Sequence, residues 1–492
     1  MSPAIKKILP YAGSFLTNGF GNLLGLIVQL TMARLMGVSD YGLLTLSLAV
    51  VLLPVSLANL GVGVSVAKFL GEAIGAKDYG LVRELLKQSA AFTAGVAVFL
   101  SIVLFLGRDI LAGLMGVERL NITLGVLGVC VPFIYLTNWS LQCLKGLGKN
   151  ATQIALETLV IHFAVGLFAL SAWLITSDIK FVCLGYGASY LVIGSLAALS
   201  VVKGVADMPK QLVKKNVPFL DVILHGIPIN ITTLGQRLFK RGDVLVIGVM
   251  LGESAVGLYQ AAYTMANGIR RLVKPINSFS LFYMAKSLGQ KKEDMLSHHF
   301  VLSILLSMVI AIPAYLIMGL LGEDILYITF GEEYLGASNV LLILCIGFAV
   351  FISIGPVGAL FNVMGRNWLR MSIMLGMSLF NVLLNIYFID LFGLEGAAVA
   401  TSISFLVLNL IYFVITKNLL KGQRTCVTYV LWFVAAAALL FGYGAKDMDF
   451  IIRGLIVLFV SGITMLVGAF LTYRYFMNEV YRDNEASLSK SL

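Results

Sequence analysis

The feature that most constrains this chain is a succession of apolar runs, each about 20 residues or longer, with little polar sequence between them. A helix needs about 20 residues to cross the hydrocarbon core of a bilayer. In lipid every backbone N–H and C=O must be satisfied within the protein, so runs of this length fold as membrane-spanning helices. We place fourteen spans, at approximately 9–36, 42–67, 89–107, 122–144, 153–176, 181–202, 222–250, 256–281, 300–321, 336–364, 368–389, 394–416, 426–444 and 451–473. Of the 492 residues 59% are hydrophobic and 12% charged, against about 25% charged in soluble domains. The mean hydropathy is +0.95. The chain is therefore expected to be an all-α integral membrane protein. The first run is too long for a signal-peptide core and has no small-residue cleavage site, so it is read as a retained span.

Cytoplasmic loops carry the excess of Lys and Arg, and that rule tests the count. With a cytoplasmic N-terminus, the inner loops and tails hold 23 basic residues and the outer loops only 6: Arg34, Arg108, Arg119, Lys180, Lys446 and Arg453. Strict alternation of this kind puts both termini in the cytoplasm. The longest connection, 203–221, is basic and short, and no soluble domain is inserted anywhere. The net charge of +10 follows this loop pattern and not a nucleic-acid-binding stripe. None of the five cysteines belongs to a C-x-x-C pair, and the four histidines make no metal spacing. The segment GLGKNAT at Gly146 lacks the spacing of a phosphate loop. No metal, nucleotide or other cofactor is expected, and any driving force would come from an ion gradient, Na+ or H+, the membrane potential or the substrate gradient.

The chain resembles itself at a spacing near 216 residues. GVSDYGLL from Gly37 aligns with GESAVGLY from Gly252, AKFLG from Ala67 with AKSLG from Ala285, and GKN from Gly148 with GRN from Gly365. Six spans per repeat is an even number, so the repeats share a topology and are expected to relate by an axis along the membrane normal. This gives an N-terminal six-helix bundle at 1–202, a cytoplasmic linker at 203–221 and a second six-helix bundle at 222–416. An extra helix pair at 425–474 and a cytoplasmic tail at 475–492 follow.

Six basic residues fall inside spans and not at their ends: Arg237, Lys240 and Arg241 on the seventh, Arg270, Arg271 and Lys274 on the eighth. A cation at the centre of a lipid-facing helix costs about 2.5–3.5 kcal/mol on insertion scales. The six are therefore expected to face a water-filled cavity, counter-ions or a ligand. Counter-ions are scarce. Asp243, three residues from Lys240, and Glu157 in the fifth span are the two carboxylates clearly within spans, and both are candidates for ion coupling. An ion-pair network therefore accounts for part of the cluster at most. Arg presents a planar fork that matches phosphate oxygens, and Lys a flexible point charge, so an anion site is the stronger reading. The repeat offset sets Asn22 opposite Arg237 and Asn59 opposite Lys274, which makes these two the uncharged polar cavity residues of the first half. Prolines within spans, Pro228 and Pro275 among them, permit bends.

The opening NGFGNLLGLIVQLTMARLMGVSDYGLLTLSLAVVLLPVSLANLGVGVSVAKFLGE, with A-R-x-x-G-x-x-x-Y-G from Ala33 to Gly42 and LGVGVSVAKFLGE from Leu60, resembles the Wzx-type polysaccharide flippase family. That family belongs to the multidrug/oligosaccharidyl-lipid/polysaccharide (MOP) exporter superfamily. The resemblance implies the MATE-like fold of two six-helix bundles about a central cavity, and alternating access. The implied cargo is a polyprenyl-pyrophosphate-linked oligosaccharide, flipped to the outer leaflet of a prokaryotic plasma (inner) membrane for surface polysaccharide. The expected partners are that substrate and membrane lipids, with the chain acting as a monomer or beside polysaccharide assembly proteins. A lipid II or sporulation-type flippase shares the architecture. A multidrug exporter of organic cations would line its cavity with carboxylates and aromatics, and a ligase or polymerase would need a large outer loop. Neither pattern occurs here, so no catalytic residue is assigned.

Overall fold

The computed structural model describes residues 3–209, 217–290, 292–353, 355–416, 459–470 and 472–473. Among these the chain is helical, without a strand. In order come α1 (Pro3–Ala58), α2 (Val62–Gly75), α3 (Tyr79–Leu106), α4 (Arg108–Met115), α5 (Leu120–Gly146), α6 (Asn150–Thr176) and α7 (Ile179–Ala206). There follow α8 (Phe219–Gly289), α9 (Glu293–Leu320), α10 (Gly322–Thr329), α11 (Ser338–Ile352), α12 (Val357–Val363), α13 (Asn367–Thr416) and α14 (Phe459–Phe470). Nine helices among the described residues are long and apolar enough to cross a membrane. The expected pair at 425–474 lies outside the described residues except for α14 and residues 472–473, and the tail at 475–492 lies wholly outside them.

Three of the nine are too long for one crossing. At 1.5 Å per residue, the apolar stretches Thr17–Ala58, Phe219–Lys274 and Trp368–Thr416 would run about 60–85 Å. Each is broken by a glycine with positive φ: Gly37 (φ 75°, ψ 174°), Gly252 (φ 81°, ψ −177°) and Gly393 (φ 59°, ψ −136°). The first two occupy a region of backbone space that only glycine enters freely. Each long helix is therefore two limbs joined by a glycine turn, and the limbs correspond to the paired spans read from the sequence.

Left-handed positions recur at the repeat spacing. Gly37 pairs with Gly252, Gly116 (φ 65°) with Gly331 (φ 103°), Gly148 (φ 75°) with Gly365 (φ 70°), and Ser177 (φ 49°) with Gly393. The short interfacial helices α4 and α10 also occupy matching places, and each opens on a D-I-L run, at Asp109 and Asp324.

Other boundaries move for local reasons. Helix α3 begins ten residues before its apolar run because Asp78 caps it, its carboxylate accepting from the Leu81 N–H at 3.0 Å. The expected single span 336–364 is two helices, parted at Gly355 (φ 65°) and Pro356. Proline supplies no N–H to continue a helix and keeps the residue before it out of helical space. Helix α6 contains two π-helical stretches, Ala155–Val160 and Gly166–Leu170.

The chain divides into two compact units, Met1–Gln260 with Met374–Val382, and Ala261–Ile373 with Leu383–Leu492. In the first, α5 lies at the centre and packs on α2, α3 and α7. Its core joins Val62, Val66 and Leu70 to Leu81, Val82, Leu85, Leu141, Leu144, Ile193, Ala197 and Val222. Side chains stitch the helices together: the Tyr135 hydroxyl donates to the Val55 carbonyl at 2.9 Å, and Thr137 Oγ1 to the Tyr190 carbonyl at 2.6 Å. Such bonds matter where lipid offers no alternative partner.

The first limb of α8, which the repeat assigns to the second bundle, packs inside the first unit. Gly226 crosses so near the end of α1 that a Cβ there would stand 2.6 Å from the Leu60 carbonyl oxygen. Asn230 Nδ2 donates to the Leu57 carbonyl at 3.0 Å. Packing and repeat thus draw different boundaries, because this limb pairs with the limbs of α1.

In the second unit, α9 packs on α11. The second limb of α13 is tied to α11 by Ser402 Oγ on the Ile343 carbonyl at 3.0 Å and by Asn409 Nδ2 on Ser353 Oγ at 2.7 Å. Phe348 lies within 5.0–6.4 Å of the rings of Phe405, Tyr263 and Tyr315.

Candidate functional site

The first unit contains a cavity of about 280 Å³ lined by Ala49, Leu52, Leu53, Ile134, Asn138, Tyr190, Arg237, Lys240 and Arg241. Its walls come from the second limb of α1, from α5 and from α7. The first limb of α8 supplies all three cations. Residues three and four apart share a helix face, which is why a 237, 240, 241 spacing delivers three positive groups to one side. Arg237 and Lys240 are exposed and Arg241 is half-buried. Arg237 Nη1 donates to Ser56 Oγ, and Arg241 Nη1 to Gln260 Oε1 at a long 3.4 Å. The two arginines are thus steadied at their rims, with their charge uncompensated by any carboxylate in the cavity lining.

Asp243, three residues from Lys240, is held by hydrogen bonds within α8. It turns about 200° around the helix from Arg241 and is buried, 1% exposed. Its carboxylate accepts from the Tyr259 hydroxyl at 2.6 Å and from the Val244 N–H at 2.8 Å. Tyr259 lies beyond the Gly252 turn, so the bond braces one limb of α8 against the other.

The structure brings three of the six cations to this cavity. Arg270, Arg271 and Lys274 belong to the second unit. There Arg270 and Arg271 are half-buried, Lys274 is exposed, and the Arg270 guanidinium lies 5.3 Å from the Phe351 ring centroid, a cation–π contact. Asn22 and Asn59 are half-buried in the first unit and are not part of the cavity lining. Asn22 Nδ2 donates to the Asn18 carbonyl at 2.8 Å and to Asn18 Oδ1 at 3.0 Å. Glu157 is exposed and accepts from Gln153. No group of His, Cys, Asp and Glu able to hold a metal occurs among the described residues. Sequence reasoning missed Asn138 and Tyr190, both uncharged and on other helices. Tyr190 carried a usable signal, being an aromatic with a polar tip in the middle of the sixth span.

The comparisons with known proteins agree with this architecture. The family described as "Polysaccharide biosynthesis protein" matches residues 12–288. A "Probable low-salt glycan biosynthesis flippase Agl15" of Haloferax volcanii is 30% identical over 183 residues, 36% of this chain and 38% of that protein. The "Lipopolysaccharide biosynthesis protein WzxC" of Escherichia coli is 23% identical over 428 residues, 83% of this chain and 80% of that protein. The chain thus spans under two-fifths of the first of these relatives and four-fifths of the second. Among solved structures, "Lipid II flippase MurJ, inward closed conformation" superposes with a TM-score of 0.70 at 14% identity, covering 96% of this chain and all of that one. The architecture is that of the MOP-superfamily transporters. The family match takes in more than half of the sequence, and the chain belongs to the polysaccharide biosynthesis protein family.

Proposed function

We propose that this chain is a transporter, not an enzyme, and that it flips a polyprenyl-pyrophosphate-linked oligosaccharide from the cytoplasmic to the outer leaflet of a prokaryotic plasma membrane. The observation that carries the reading is the cavity of the first unit: Arg237, Lys240 and Arg241 line it and no acid does. Three cations on one helix face favour the entry of an anion, and a pyrophosphate supplies negative charge on oxygens that a planar guanidinium fork can bind two at a time. Asn138 and Tyr190 add a neutral donor each beside the charged edge. The lining leaves an apolar wall of Ala49, Leu52, Leu53 and Ile134, which suits the start of a prenyl chain.

Arg270, Arg271 and Lys274 are proposed as a second set of anion contacts, and Asn22 and Asn59 as polar positions met along the path. Two six-helix bundles, 1–202 and 222–416, would rock about the 203–221 linker with both termini cytoplasmic. Asp243 is the favoured coupling group for H+ or Na+ because it is a buried carboxylate that braces two limbs, and exposed Glu157 is the weaker one. A lipid II-type cargo is the alternative reading, favoured by the likeness of fold to a lipid II flippase and by the same pyrophosphate chemistry. Organic cations are disfavoured as cargo by the sign of the cavity.

The test is reconstitution of the full chain into liposomes with defined lipid-linked glycans under imposed H+ or Na+ gradients. Flipping of a pyrophosphate-linked glycan, lost when Arg237 and Arg241 are replaced by Ala, is expected. Export of an organic cation with no movement of any lipid-linked glycan would overturn the reading.

A further inference from the structure

On the membrane face that carries the 107–119 loop, opposite the basic loops, a groove of about 430 Å³ opens between α3, α5 and α7. Its apolar walls are Phe105, Ile122, Val126, Val129 and Leu184; all but half-buried Val126 are exposed, and in a membrane-spanning chain that exposure is to lipid. From Asn121 to Val129 the groove follows α5 for about 12 Å, most of one leaflet's hydrocarbon depth of about 15 Å. At its head stands Arg108. The guanidinium lies 4.6 Å from the Phe105 ring centroid and crosses Gly125, where a Cβ would come within 3.1 Å of Nη1. The missing side chain at Gly125 is what lets the arginine lie down into the groove.

The polar groups around Arg108 form a small set. Its Nε is 3.8 Å from Asp109 Oδ2, and Asn121 Nδ2 donates to Asp109 Oδ1 at 3.2 Å. Nη1 and Nη2 make no hydrogen bond to protein among the described residues, so the edge of the fork that suits a phosphate faces the groove. Asp109, 67% exposed, balances the guanidinium in net charge, so the head offers the Nη donors of Arg108 to a singly charged phosphodiester and disfavours a group of higher negative charge. The same position of the second repeat reads Glu323-Asp324-Ile325-Leu326 where the first reads Arg108-Asp109-Ile110-Leu111. The basic head is thus confined to one repeat.

We propose that this groove is a binding site for a membrane phospholipid, with the phosphodiester on the Nη edge of Arg108 and an acyl chain along Ile122, Val126 and Val129. The site is separate from the cationic cavity, whose lining shares no residue with it. The inference needs only that the chain spans a membrane, so it stands or fails independently of the transported cargo.

Native mass spectrometry of the full chain, purified in micelles supplemented with phosphatidylglycerol or with diacylglycerol, tests it. The wild type is expected to retain phosphatidylglycerol and to retain diacylglycerol at least about fivefold less. Arg108→Gln, which removes the head, and Val126→Trp, which fills the groove, should each lower phosphatidylglycerol retention about fivefold or more. Their thermal unfolding midpoints are followed in parallel, and if one variant fails to fold the other decides. Equal retention in wild type and folded variants, or equal retention of the two lipids by the wild type, would overturn the site.

Discussion

Gly42 and Gly257 occupy equivalent positions of the repeat, and each presses its backbone against the turn that carries the other. A Cβ on Gly42 would stand 1.8 Å from the Glu253 carbonyl oxygen, and one on Gly257 2.1 Å from that of Val38. Val38 and Glu253 are themselves equivalent at the same offset of 215. The contact is reciprocal, and it lies where the glycine turns of α1 and α8 meet within the first unit. Arg119 closes over it, reaching Asp40 and, at 3.9 Å, Glu253.

No side chain fits at this contact. Gly42→Ala or Gly257→Ala should lower stability by about 1–3 kcal/mol, the usual cost of overpacking. A cysteine placed at Ser39 should then react faster with a membrane-impermeant maleimide. Unchanged melting together with unchanged labelling would show that the glycines do not hold the turns together.

Arg119 is a different kind of fastening. Its side chain is 49% exposed and its two acidic partners 24% each, and exposed ion pairs contribute about 0–1 kcal/mol. Arg119→Ala should therefore change the melting temperature little, and any effect should shrink in high salt. A loss as large as that of the glycine variants would reverse the ranking of the two.

The turn glycines Gly37 and Gly252 hold nearly identical conformations. Alanine at either should cost about 1–3 kcal/mol from backbone strain, with the two penalties similar because the conformations match. Thermal or denaturant unfolding of both single variants measures this.

In the cavity, Arg237→Ala, Lys240→Ala and Arg241→Ala each remove a charge-assisted contact worth about 1.5–3 kcal/mol. Flipping of a pyrophosphate-linked glycan in liposomes should fall roughly 10- to 100-fold while insertion and melting stay near wild type. Arg237→Lys should recover part of it, since charge survives and the fork does not. Full transport in all three alanine variants would remove the anion site.

Asp243 and Tyr259 separate bracing from coupling. Tyr259→Phe leaves a buried carboxylate short of a donor, and a loss of about 1–3 kcal/mol in stability is expected. Asp243→Asn keeps an acceptor for Tyr259 and should fold. If Asp243 couples transport to H+, the Asn variant should flip glycan independently of an imposed pH gradient. Retained gradient dependence would leave it the brace alone.

Much of the fold was legible because lipid permits so few solutions: run length placed the spans, and glycine-bearing matches at Gly37 and Gly148 marked the repeat. The Ser177–Gly393 pair escaped because serine there takes a conformation that glycine takes in the other repeat, so identity matching sees nothing. The site was legible in part. Charge density at mid-span exposes Arg237, Lys240 and Arg241 to a reader of sequence alone. Tyr259 does not stand out, because its partner Asp243 lies sixteen residues away across a turn. Glu157 sits in a π-helical stretch, where one turn holds more residues than in an α-helix, a feature that sequence periodicity does not reveal.

The reciprocal glycine contact also bears on ancestry. A patch in which position i meets j while j meets i is the signature of a two-fold axis between identical chains. Each repeat brings the same glycine and the same carbonyl to the seam. A half-length chain carrying the equivalents of Gly42 and Val38 would have the means to meet a second copy of itself there. Substitutions at 42 and 257 should accordingly be constrained as a pair.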